Sequence, residues 1–134
     1  MSTSASLFIR VIAWLYDLLL VGVPIVVIGI TLFNFESYTL FFFIIAFTMY
    51  ATATPVLTSG FTLGKRIVGV QIIAIGSDLT IKTVVIRHVV VGFIYILSCG
   101  VALLISMLIA KSRNDKRALH DLLARTTVIY SLKR

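Results

Sequence analysis

From about Leu7 to Thr31 the chain runs twenty-five residues with only two charges among them, Arg10 and Asp17. No other feature limits the fold so strongly. About 20 apolar residues in a helix cross ~30 Å of hydrocarbon, so this run is long enough to span a bilayer. Inside hydrocarbon every backbone polar group must be satisfied within the structure, so the run predicts a helix. Pro24, with Gly22 and Gly29 nearby, predicts a kink. The run is longer than a signal-peptide core, carries Asp17 in its middle and lacks a small-x-small cleavage site, so it is expected to be retained.

Asn34, Phe35, Glu36 and Ser37 make a short polar turn. The next run, about Tyr38 to Leu57, is expected to return antiparallel beside the first. Its threonines (Thr48, Thr52, Thr54, with Thr58 just beyond) are expected to bond their own helix or tie helices together rather than line a path. A third run, Val84 to Ala110, opens with Arg87 and His88 and holds the small residues Gly92, Ser98, Cys99 and Gly100. Apolar residues make up 60% of the sequence and charged ones 13%, against about 45–50% and about 25% in a soluble domain. Too little polar surface remains to face water all round, and lipid is the natural solvent.

The formal charge of +7 is not spread over a soluble surface, which argues against nucleic-acid binding. Lys65 and Arg66 follow the second run. Lys111, Arg113, Lys116, Arg117, Arg125, Lys133 and Arg134 follow the third. The turn at Glu36 has neither Lys nor Arg. Positive charge favours cytoplasmic loops beside anionic headgroups. One straight third span would put the two basic segments on opposite sides; a segment bent near Ser98–Gly100 puts both inside. The expectation is a multi-pass protein of the cell membrane, with the N-terminus, the 60–82 loop and the C-terminal tail cytoplasmic.

Between the second and third runs, Gly64 and Gly69 bracket basic residues and read as backbone turns. No Walker spacing accompanies them, so they are not a phosphate cradle. Val70–Ile73 and Leu79–Ile81 flank a turn at Gly76-Ser77-Asp78 and predict a small hairpin. After the third run, an amphipathic helix over about 115–125 is expected, with Leu119, Leu122 and Leu123 on one face. Thr126–Tyr130 is again β-prone. Cys99, the sole cysteine, is expected as a small buried apolar group. The fold class is therefore an all-α membrane protein of one domain, 1–134. It has an antiparallel transmembrane helix pair (about 7–31 and 38–57), a third bent or re-entrant apolar helical segment (84–110), and a cytoplasmic amphipathic tail helix.

Arg10 and Asp17 are seven residues apart, on nearly one helix face but ~10 Å apart along the axis, so each needs a partner elsewhere. Arg10 can snorkel to headgroups. Asp17 lies deeper and must be paired, hydrated or protonated, as a structural hydrogen bond or as a protonatable or cation-binding site. Asp121 has two candidate partners, Arg125 at i+4 and Arg10. The guanidinium of Arg10 can grip a carboxylate bidentately, and the tail helix can carry Asp121 to it. Arg87 and His88 are expected to mark the membrane interface, with His88 a secondary proton donor or acceptor. His120 beside Asp121 is weak evidence of catalysis. No nucleophile, metal-ligand spacing or phosphate loop accompanies it, so no enzyme activity, cofactor or metal is expected.

Taken in order, these pieces resemble the RDD family of small membrane proteins, named for an arginine and two aspartates. The elements are Arg10-Val-Ile-Ala-Trp-Leu-Tyr-Asp17, Thr62-Leu-Gly-Lys-Arg-Ile-Val-Gly69, Arg87, and Leu119-His-Asp-Leu-Leu-Ala124 with Thr126-Thr-Val128. The resemblance covers nearly the whole chain and carries over Arg10, Asp17 and Asp121. One position departs: after Leu-Leu-Ala the family usually has Gly, which suits a helix C-terminus, and here Arg125 stands.

The resemblance implies a transporter, with cation–proton exchange proposed for the family. Two expectations follow. In one, Asp17 exchanges a monovalent cation or proton, Arg10 and Asp121 form an electrostatic gate, and so small a chain works as a homo-oligomer. In the other, the protein is a non-transporting scaffold or assembly partner, and the same three residues hold the fold together.

Overall fold

A computed structural model of the chain describes residues 4–34 and 37–131. Phe35 and Glu36 of the first turn, and Lys133 and Arg134 of the tail, lie outside the described residues. Helix α1 (Leu7–Phe33) and helix α2 (Ser37–Leu57) are both long and apolar enough to cross a membrane. Ser6 caps α1 by accepting the Ile9 N–H through its side chain, leaving one fewer orphan donor in the first turn.

Pro24 acts on α1 by widening it. Residues Leu18–Gly22 form a π turn in which the Val23 N–H donates to the Leu18 carbonyl, five residues back. Proline lacks an N–H and its ring presses on the carbonyl four residues earlier, which a widened turn relieves. The upper half of α1 lies along α2. A side-chain carbon at Gly29 would stand 3.1 Å from Thr39 Cγ2 and 3.2 Å from Phe42, so glycine there permits the close crossing. Thr39 ties the pair by donating to the Gly29 carbonyl at 3.3 Å, and Thr58 donates to the Thr54 carbonyl at 2.6 Å.

Helix α3 (Leu63–Val68) leads into strand β1 (Val70–Ala74) through Gly69, whose φ of +76° closes the helix in the left-handed region. Helix α4 (81–97) contains a second π turn, Ile86–Val90. The third apolar run then breaks at Ser98–Gly100, where Cys99 and Gly100 take positive φ. Helix α5 (Val101–Ser112) folds back, and Tyr95 reaches across the break to Ser106 at 2.9 Å. Helix α6 (Leu119–Leu123) and strand β2 (Thr126–Tyr130) complete the chain.

Several expectations need correction. The fold is mostly helical but not all-α: β1 pairs antiparallel with β2, Val70 opposite Tyr130 through Ala74 opposite Thr126. The local hairpin does not form, because Thr80 caps α4 through its side chain and Ile81 begins that helix. β1 instead finds the tail, burying Val70, Ile72 and Val128 around Ala5 and Ala13. The tail helix is five residues long rather than about eleven, and Leu123 is exposed; the buried residue of α6 is Asp121. Cys99 is exposed in the break rather than buried, on a left-handed turn with φ of +51°. Gly64 lies inside α3 rather than in a turn.

Candidate functional site

Gly64 explains how α3 meets α1. A side-chain carbon there would fall 2.0 Å from the Ala13 carbonyl oxygen and 2.9 Å from Asp17 Cγ. Only glycine allows this approach, and it brings the start of α3 onto the Asp17 carboxylate. Asp17 Oδ1 accepts from the Gly64 N–H at 2.7 Å and the Tyr50 hydroxyl at 2.8 Å, and Oδ2 accepts from the Thr62 hydroxyl at 2.5 Å. Thr62 also accepts the Lys65 N–H at 3.3 Å, and Tyr50 accepts the Leu63 N–H at 3.0 Å. One buried carboxylate thus joins α1, α2 and α3 through neutral donors.

Asp121 is buried with no exposed side-chain surface and faces two guanidinium groups. Its Oδ2 accepts from Arg10 Nη1 at 2.5 Å and from the Ala118 N–H at 3.2 Å. Its Oδ1 makes an ion pair with Arg87 Nη1 whose angles are not those of a hydrogen bond. Arg87 donates to Thr126 Oγ1 at 2.6 Å, and Arg10 Nε to the Ala5 carbonyl at 3.2 Å. Burial by itself would push the Asp121 carboxyl up; the positive charges around it, Arg87 foremost, overcome this and hold it at about 2. Burial, followed by the charge of Arg87, lowers His120 to about 4. This histidine is neutral near pH 7 and lies 3.1 Å from the Tyr95 hydroxyl.

The pairing of Arg10 with Asp121 is the one that charge and helix geometry anticipated. Arg125 points elsewhere: it is exposed, with φ of +50°. That is the left-handed position where the family usually has glycine. Arg10 and Asp17 do not pair with each other. Arg87, expected to mark the membrane interface, is the second cation on Asp121; its place among the ordered motifs was the available signal. His88 Nδ1 lies 3.1 Å from the Val84 carbonyl, a contact within its own helix. Tyr50, Thr62 and Gly64 went unpredicted as partners of Asp17, although a threonine preceding Leu-Gly-Lys is a recognisable N-cap.

Beside the two carboxylates lies a cavity of about 390 Å³ whose lining includes Arg10, Asp17, Lys65, Arg87, His88 and His120. Among the described residues, no group of three His, Cys, Asp or Glu side chains is placed to hold a metal.

Two membrane-length apolar helices joined to a buried Arg–Asp–Arg cluster define a small helical protein with an ionic knot at one end. The chain belongs to the RDD family, whose profile matches residues 4–125. It is similar to the uncharacterized protein YckC of Bacillus subtilis (strain 168), with 33% identity over 128 residues, 95% of this chain and 85% of that protein. No solved structure matches.

Proposed function

We propose that this RDD-family chain is a multi-pass membrane protein acting as a scaffold or assembly partner, in which Arg10, Asp17 and Asp121 hold the fold. The observation that carries this reading is the state of Asp17: both its oxygens already accept hydrogen bonds from groups on α2 and at the start of α3. Three of the roughly four lone-pair sites of this carboxylate are taken by neutral donors from neighbouring elements, the arrangement of a structural acceptor that joins helices. α1 and α2 also expose long apolar faces, among them Leu19, Val27, Leu32, Leu40 and Phe41, fit for lipid or for further copies of the chain. In this reading the N-terminus, the 60–82 loop and the tail are cytoplasmic. Single cysteines from Ser77→Cys and Ser131→Cys, in a Cys99→Ala background, are expected to label from one side.

The cavity supports transport as a second reading, because it reaches Asp17 beside Lys65. A chain this small would then need partner copies to wall a path. Sodium- or potassium-driven proton flux in reconstituted vesicles separates the two. The scaffold reading expects no flux above protein-free vesicles. Flux that disappears in Asp17→Asn would replace it with cation–proton exchange.

A further inference from the structure

The charges around the cavity do not balance. Arg10, Lys65 and Arg87 bring three positive charges and Asp17 and Asp121 two negative ones, so 3 − 2 leaves one positive charge, both histidines counted neutral. Both carboxylates are turned to partners already named. Lys65 makes no ion pair among the described residues. Burial foremost, and then the charge of Arg87, lowers its ammonium to about 8, the behaviour of a cation short of a counter-charge. Arg10 Nη2 is buried and has no hydrogen-bond partner. A buried donor without an acceptor costs free energy that an incoming acceptor restores. The rest of the wall is different: Trp14, Leu103 and Met107 line the same cavity and are also exposed on the apolar outer surface.

We propose that this cavity binds a singly charged phosphate ester, its phosphate between Lys65 and Arg10 and its apolar part against Trp14, Leu103 and Met107. Guanidinium and ammonium groups are the usual protein partners of phosphate oxygens. One surplus positive charge matches a phosphodiester, which carries one negative charge, and the apolar wall opening outward suits a chain attached to it. A cation fits poorly, because the groups around the cavity already carry a surplus positive charge. The inference holds whether the protein is a scaffold or a transporter.

Trp14 is the sole tryptophan and reports on the cavity directly. The purified full-length chain in neutral detergent is titrated with phosphatidylglycerol, phosphatidylcholine or inorganic phosphate, reading Trp14 fluorescence and melting temperature. The expected result is saturable binding of phosphatidylglycerol and at least about tenfold weaker binding of phosphatidylcholine, whose choline cation restores the positive charge that its phosphate would offset; equal affinity for the two would overturn the charge-matching argument. Lys65→Gln should weaken binding about tenfold or more. Gly92→Leu should abolish it by filling the cavity while keeping every charge: Gly92 lines the cavity, and a side-chain carbon there meets nothing within 4 Å. Saturation by inorganic phosphate as well would identify a free phosphate as a sufficient ligand; response to phosphatidylglycerol alone would identify a lipid. Saturation by neither, or wild-type affinity retained in both variants, would overturn the proposal.

Discussion

The end of the molecule where Asn34 turns the chain and the end where Asp121 sits are held by different forces. At the first end α1 and α2 meet through shape: Gly29 admits Thr39 and Phe42, and Phe33 lies against Phe42 and Tyr38 with ring centroids 5.8 and 6.3 Å apart. Such contacts are individually weak and tolerate exchange of one apolar group for another. At the second end five elements meet on two carboxylates, and each contact depends on one donor and one acceptor. A buried charge that loses its partner is left uncompensated, so this end admits little substitution. Length and hydropathy are carried by the first region, and the specific arrangement of the chain by the second.

The largest expected effect tests that division at its strongest point. Asp121→Ala leaves Arg10 and Arg87 buried and unpaired, and should destabilise by about 3–5 kcal/mol in detergent melts. A loss below about 1 kcal/mol would remove the ionic end from its special position. Acid tests the same residue without mutation. Its folded-state pKa, about 2, lies below an unfolded value of ~3.9. The contribution is therefore present above about pH 4 and is lost as pH falls through 2, amounting to roughly 2–3 kcal/mol. Melting temperatures of wild type and Asp121→Asn should converge over that window; a constant difference down to pH 2 contradicts the assignment. Gly64→Ala forces α3 off α1 and should cost about 1–3 kcal/mol, measured in the same way. Arg125→Gly should stabilise by roughly 1 kcal/mol, because glycine adopts the left-handed conformation without penalty. At the hairpin end Leu32→Ala, on an exposed face, should change stability by less than about 0.5 kcal/mol.

The same contrast explains what the sequence disclosed. The apolar runs announced α1 and α2 to within a few residues, because hydropathy and length are local properties. The break at Ser98–Gly100 followed from charge counting together with its small residues. The Arg10–Asp121 pair was legible because few acids were available to a lone arginine. β1 and β2 were each visible as β-prone, but their pairing was not, because Val70 and Tyr130 share no local signal and the nearer Leu79–Ile81 competed for the partnership. The partners of Asp17 were hidden for a related reason. Gly64 matters through the atoms a side chain would strike, and that depends on how α3 meets α1.

Arg10 and Asp121 are 111 residues apart, which sets an order of events during synthesis. At roughly 5–20 residues per second, the guanidinium of Arg10 emerges about 5–20 seconds before the carboxylate that will hold it. Arg87 waits for a shorter time, and β1 waits for β2. Until then the nascent chain carries an apolar hairpin already able to form, while Arg10 and Arg87 lack the carboxylate that pairs them in the folded chain. The final residues of the family motif therefore act as a latch, and a chain halted before Asp121 would hold its helices without closing the knot that orders them.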